Sequence, residues 1–460
     1  MINYNEKFSE LGVPGNPAFP ATDIGVSALF NTVCGETLRY VIEQKSWYFY
    51  NGQVWKQDIG SLQAMEHCKA FVEAYAAHID AHSDDNIVKT FASKLTSRVR
   101  RECVLADARS IAPVSYDIFD RNKLLLNCRN GTFSLFDMTF RTHNPADYIT
   151  KMANVKYDPK AKCKRWNRFI DEVMNGDADT ARFLQKACGY AISGSTELEK
   201  LFVLHGASAR NGKSTLTETL GHLLGDYTKS CAAATISHRT TDGTKASPDL
   251  ARLVGTRFVT VSEPDKDLLL NAALVKQLTG GDTLVARFLN NNPFEYHPEF
   301  KPFINTNHLP QITDDTIFTS GRMIIIPFTR HFTEAEQDKT LKKTLRYANN
   351  LSGILNWLIE GYRLLKSEGL KPSERIKQVL ADYRRDSDVI GAFIAEMIVP
   401  SPNGKLLTRD LFQCYCSWLK DTGLRALSVQ QFVAELRNRY TIKRYGAVGK
   451  AVIGIDWRKS

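Results

Sequence analysis

From residue 200 onward, apolar residues come in short unbroken runs separated by polar loops. KLFVLHG (200–206), TRFVTVSE (256–263), KPFINTN (301–307) and GRMIIIPF (321–328) are apolar at consecutive rather than alternate positions. Strands buried on both faces of a parallel sheet read this way, because neither face meets water. STLTETLGHLLG (214–225) follows the first run with helical spacing and stops at Gly225. This order of strands and helices predicts an α/β core over residues 196–333.

The front of the chain is patterned differently. Val26, Leu29, Phe30 and Val33 fall on one helical face. SWYFYNGQVWKQD (46–58) reads as a hairpin turning at Asn51 and Gly52. Residues 61–103 are helical in composition, and residues 123–145 return to strands around Asn130-Gly131. Residues 163–194 read as two helices broken at Asn175-Gly176. The expectation is an α+β domain over 23–195, preceded by a flexible Gly- and Pro-rich leader, 1–22. Residues 334–398 have helical periodicity and are expected as a lid. VPSPNG (399–404) is expected as a linker into a last unit, 399–460.

Composition narrows the class. With 43% hydrophobic and 10% aromatic residues, the chain can bury sizeable cores. Its net charge of +10 favours an anionic partner. Residues 401–460 hold eleven Lys/Arg against four Asp/Glu, which concentrates that charge at one end. The nine cysteines are scattered, apart from Cys414 and Cys416. This argues against a zinc site and for buried, reduced thiols in a cytoplasmic setting. No secretion signal and no run of ~18 apolar residues is visible, so no membrane partner is expected.

HGASARNGKST (205–215) carries the chemistry. It resembles Gly-x4-Gly-Lys-Ser/Thr with one extra residue between Gly206 and Gly212. Small residues let backbone N–H groups approach phosphates, and a helix N-terminus follows. Gly206, Asn211, Gly212 and Thr215 are expected to line an ATP site, with Lys213 on the β/γ-phosphates and Ser214 on Mg²⁺. Glu263 closes a neighbouring strand and is the candidate metal-shell acid and water activator. Asp265 reads rather as a turn residue. Asn307 is either a γ-phosphate sensor or a strand-end cap. Arg322 is either a finger reaching a neighbouring subunit's nucleotide or a solvated strand-start arginine.

Taken together, NGKST, SPDLARLVGTRFVTVSE, LVKQLTGGDTLVARF, FINTNHLP and GRMIIIPF resemble the superfamily 3 helicases. The resemblance is to the phage/plasmid primase–helicase C-terminal family, related to the poxvirus-type helicase–primase, and it spans about residues 25–395. It implies an AAA+-type P-loop ATPase core that assembles as a homo-oligomeric ring, usually a hexamer, on single-stranded DNA. It also implies a hairpin pointing into the channel. TLVARFL and FEYHPEF are strand-like arms for that hairpin, with Lys276, Arg287 and Lys301 as basic residues for phosphates. The alternative has Lys276 and Arg287 supporting Asp282 or the nucleotide pocket.

The last unit reads as helix, helix and hairpin, a winged-helix-like order. Arg437, Arg439, Lys443, Arg444 and Lys450 would meet duplex origin DNA or form an ordinary solvated basic face. About twenty residues precede the recognisable front section, so no primase domain is expected and a separate primase would prime. The expected whole is an ATP-dependent replicative helicase of a phage, plasmid or mobile island in a bacterial host. The alternative is an ATP-dependent origin-binding initiator with little unwinding.

Overall fold

A computed structural model of the chain describes residues 2–235, 248–261, 270–287, 293–310, 312, 317, 320–419, 427–445 and 449–458. The front begins with α1 (Tyr4–Glu10) and α2 (Asp23–Cys34), followed by the antiparallel strands β1 (Leu38–Val41), β2 (Ser46–Tyr50) and β3 (Trp55–Asp58). Tyr50 pairs with Trp55 across the expected turn, where Gly52 takes a φ of 93°. Helices α3 (Leu62–His82), α4 (Asn86–Lys94) and α5 (Arg98–Ile111) complete this part. The leader expected to be flexible is folded. Tyr4 and Phe8 share one face of α1, and fully buried Phe8 meets Phe71 and Tyr75 edge-on at 5.5 and 5.8 Å.

A second small sheet, β4 (Leu125–Cys128), β5 (Gly131–Ser134) and β6 (Thr139–Arg141), leads to α6 (Lys164–Val173) and α7 (Ala178–Tyr190). Then come β7 (Leu201–His205), α8 (Lys213–Leu224), β8 (Thr228–Cys231), α9 (Pro248–Ala251), β9 (Phe258–Val261), α10 (Ala272–Thr279), β10 (Leu284–Ala286), β11 (Phe294–Tyr296), β12 (Lys301–Thr306) and β13 (Met323–Pro327). Five of these strands form one parallel sheet in the order β13-β7-β12-β9-β8.

The unbroken apolar runs follow from this placement. Phe202, Leu204, Phe303, Ile324 and Ile326 face one helical layer, while Leu201, Val203, Ile304 and Ile325 face the other. The first layer includes Trp166 and Phe169 of α6, Phe183 and Leu184 of α7, and Leu216 and Leu220 of α8. The end of the front section and the sheet therefore share one core.

After α11 (Leu341–Leu345), α12 (Ala348–Glu368) and α13 (Glu374–Ser387), the last unit has its own core. It comprises α14 (Val389–Met397), β14 (Ile398–Leu407), α15 (Thr408–Leu419), α16 (Val429–Arg439), β15 (Ile442–Tyr445) and β16 (Gly449–Trp457). Its antiparallel sheet is ordered β14-β16-β15. The segment read as a linker lies inside β14: Val399 and Pro400 pair with Asp456 and Ile455, and the register shifts before Lys405. Prolines are tolerated there because the irregularity relieves the ladder of their missing N–H groups.

Candidate functional site

The loop between β7 and α8 stands at the C-terminal edge of the parallel sheet. Asn211 is its internal brace: the buried amide donates to the Ser208 carbonyl at 2.6 Å and approaches that of Gly206 at 3.5 Å. A Cβ on Gly206 would lie 2.2 Å from Asn211 Nδ2, so this position requires glycine. Gly212 has a φ of 91°, and a Cβ there would lie 2.4 Å from Val173 Cγ1 of α6. Arg210 takes a φ of 60°, and its carbonyl accepts from Phe332 N at 3.0 Å. The extra residue is thus absorbed in a left-handed turn fastened to the segment that follows β13.

Lys213 is the first residue of α8. Its Nζ donates to Asn307 Oδ1 at 2.8 Å and to the Gly206 carbonyl at 3.3 Å, and the residue is 6% exposed. β7 and β12 are neighbours, so residues 94 apart in sequence meet at adjacent strand ends. Ser214 is exposed and Thr215 half-buried. His205, below the loop, is held under the usual imidazole range by burial and then by the Lys213 cation.

Clefts open on both sides of this loop. One of about 600 Å³ runs from Lys213, Ser214 and Asn307 to Thr260, Val261 and Asn305. The other, of about 400 Å³, is walled by Arg165 and Phe169 of α6 and by Phe332 and Gln337. Asn305 was missed by sequence reading. Its Nδ2 donates to Thr217 Oγ1 at 2.9 Å, which leaves Oδ1 buried without a partner at the cleft wall. The i, i+2 spacing to Asn307 was the available signal. Glycines where a Cβ would collide, a helix N-terminus and an orphaned acceptor fit a bound phosphate with a hydrated cation.

The other expected residues separate. Glu263 and Asp265 lie outside the described residues; Val261, the last residue of β9, lines the larger cleft. Arg322 is held within its own chain, by Glu199 at 2.7 Å and Thr279 Oγ1 at 3.1 Å. Lys276, on α10, and Arg287, the residue after β10, are half-buried, and the antiparallel register of β10 and β11 joins Leu284 to Tyr296. Residues 288–292, between those arms, lie outside the described residues.

Lys301 corrects the expectation of a phosphate contact. It is 1% exposed, its Nζ donates to the carbonyls of Ser193, Ser195 and Glu299, and it sits over the Tyr190 ring. Burial, then the nearby Arg257 charge, pushes its ammonium well below the usual lysine range. Arg439 is likewise engaged: both guanidinium arms bond Asp388, at 2.7 and 2.8 Å. Arg437, Lys443, Arg444 and Lys450 are exposed, and Arg444 stands directly opposite Lys450 on paired strands.

The nine cysteines are free thiols, mostly buried. Among the described residues, no group of His, Cys, Asp and Glu could hold a metal alone, and no helix is long and apolar enough to cross a membrane.

Comparison with known proteins adds two family matches: "D5 N terminal like" over residues 27–175, and a family of unknown function (DUF5906) over 204–322. Among curated relatives, a protein named as a helicase (L207/L206) of Acanthamoeba polyphaga mimivirus is 30% identical over 338 residues, 68% of this chain and 35% of its own length. Proteins named as helicases 022R of Frog virus 3 (isolate Goorha) and 121R of Invertebrate iridescent virus 3 are 26% and 23% identical, over 63% and 75% of this chain and 30% and 40% of theirs. The chain spans about a third of the length of these relatives. Among solved structures, the apo NrS-1 C-terminal region superposes with a TM-score of 0.48 at 11% identity, over 91% of this chain and 96% of that one. With its D5-like front section and its relatives in large DNA viruses, the chain belongs to the phage and viral superfamily 3 helicase–primase type, the poxvirus-like family.

Proposed function

We propose that this chain is an ATP-dependent, ring-forming replicative DNA helicase that moves along single-stranded DNA. The observation that carries this reading is the Lys213–Asn307 bond at the mouth of a glycine-braced loop. Bound Mg-ATP would supply the phosphoanhydride whose cleavage drives movement. Lys213 would leave Asn307 for the β/γ-phosphates, and Asn307 would then be free to report on the γ-position. Ser214, exposed at the cleft, would join the metal shell together with Glu263. Gly206, Asn211, Gly212 and Thr215 would shape the cradle. Arg322, on release from Glu199, would reach the nucleotide of the next subunit. Lys276 and Arg287, repeated around a ring, would grip phosphates without reading sequence.

The last unit supports a second contact, with duplex origin DNA. Its order of helix, strand, two helices and two strands fits a winged helix, and Arg437, Lys443, Arg444 and Lys450 are among its exposed cations. The facing Arg444 and Lys450 repel each other until an anion intervenes. The rival reading, an initiator that binds and assembles but barely unwinds, follows if this contact dominates.

Strand displacement separates the two. Wild-type protein with Mg-ATP is expected to displace an annealed strand. Lys213→Ala should abolish displacement and lower ATP turnover by at least ~100-fold while leaving the protein folded. Wild-type protein that assembles on DNA and hydrolyses ATP without displacing a strand would sink the helicase reading.

A further inference from the structure

Sharing no residue with the clefts beside the phosphate loop, a cleft of about 470 Å³ opens between β1 and the segment leading into β4. Its walls include Arg39, Pro113, Val114, Arg121, Asn122 and Tyr148. Backbone bonds fix its shape: Val114 N donates to the Tyr40 carbonyl at 2.9 Å, and Ile42 N donates to the Val114 carbonyl at 3.2 Å. Tyr148 is held flat against Trp55, with ring centroids 5.3 Å apart. The cleft is therefore preformed, and its volume falls in the ~300–1,000 Å³ range of small-ligand sites.

Arg39 is the unexplained group in this cleft. The residue is half-buried, and its Nε is sealed from solvent with no hydrogen-bond partner. The one carboxylate in the wall, Asp147, does not serve it, because its two oxygens accept from Arg141 at 2.8 and 2.6 Å. Arg121 pairs only with exposed Asp117, four residues away, a contact that solvent screens and an anion can displace. Among the described residues nothing accepts from the Arg39 guanidinium, so its terminal nitrogens are available to an anion in the cleft. The planar fork of arginine matches two oxygens of a phosphate. Pro113, Val114 and Tyr148 add apolar surface of the kind that a sugar or base covers.

We propose that this cleft binds the phosphate of a nucleotide unit, with Arg39 as the gripping residue, Arg121 as its second cation, and single-stranded DNA as the source. Only the choice of DNA as source rests on the helicase reading. The front section then holds the strand at a point separate from the β10–β11 hairpin.

The test uses the full chain, a fluorescent oligo-dT and a non-hydrolysable ATP analogue, titrated over a salt series. Arg39→Ala should weaken oligo-dT binding about tenfold and lower the salt slope by about one. Arg121→Ala, at an exposed position where folding is not at stake, should weaken binding by about threefold. Melting curves check that both variants fold. A second arm measures AMP by equilibrium dialysis in a Lys213→Ala background, which disables the loop site. AMP binding that depends on Arg39, with oligo-dT binding that does not, supports the cleft with a free nucleotide as its ligand. If both ligands are indifferent to Arg39 and Arg121, the proposal is overturned. Strand displacement is scored separately: wild-type protein that holds oligo-dT through Arg39 yet never unwinds rejects the helicase and keeps the cleft.

Discussion

Lys301 opens β12 and Lys213 opens α8; both are buried, and their partners give them different work. Lys301 closes a knot of three carbonyls that ties β12 to the chain after α7. Lys301→Met should leave those carbonyls unpaired and cost roughly 2–4 kcal/mol, read as a lower melting temperature, with no change in the salt slope of DNA binding. The pH dependence has a definite sign. Between the depressed native value and the ~10.4 of the unfolded chain, the unfolded state holds more protons, so this residue makes stability rise with pH. The Met variant should lose that part of the slope; an unchanged slope would contradict the burial argument. At Gly212, Ala would bring a Cβ against Val173 at a positive φ. Gly212→Ala should cost roughly 1–3 kcal/mol and weaken nucleotide binding, measured by calorimetry. The need for small residues in this loop was legible from spacing alone. The bond from Lys213 to Asn307 was not, because it depends on which strands are neighbours.

Among the elements, the four apolar runs were legible as buried strands because both faces of a parallel sheet demand the same residues. β8 was not, since TKSC is polar and only Cys231 is buried at this sheet edge. The boundary of the last unit was also misplaced. The prolines of β14 resemble a linker, and only pairing with β16 shows a strand. α14 belongs with this unit too, as Ile390 and Phe393 sit in its core. Asp388 caps α14 through Gly391 N at 2.8 Å and binds Arg439 at the end of α16. Burial alone would raise its pKa, but the Arg439 and Gly391 bonds outweigh it and hold the carboxylate below its ordinary range. Arg439→Ala should therefore act on the fold, lowering the stability of this unit by about 1 kcal/mol, since the pair is partly open to solvent. Arg437→Ala should instead weaken duplex binding with melting unchanged. Protease sensitivity and gel shift, run side by side, distinguish the two effects.

For the whole molecule, the question is where Arg322 acts. In a single chain it is anchored by Glu199 and by the last turn of α10. A shared site needs Lys213 from one subunit and Arg322 from the next. Lys213→Ala and Arg322→Ala should each be inactive alone, and a 1:1 mixture should restore activity at about one interface in four. A mixture as inactive as its parts would place Arg322 in the service of its own chain. Residue order and hydropathy alone determined the parallel α/β core, the glycine-braced loop and the basic excess of the last unit. These are local properties, set by which residues tolerate burial on two faces and which allow a backbone to turn tightly. Tertiary structure decided which cations face solvent, which are consumed by carbonyls or carboxylates, and which residues far apart in sequence meet across neighbouring strands. A formal charge is fixed by the side chain, but its availability depends on neighbours that only the folded chain assembles.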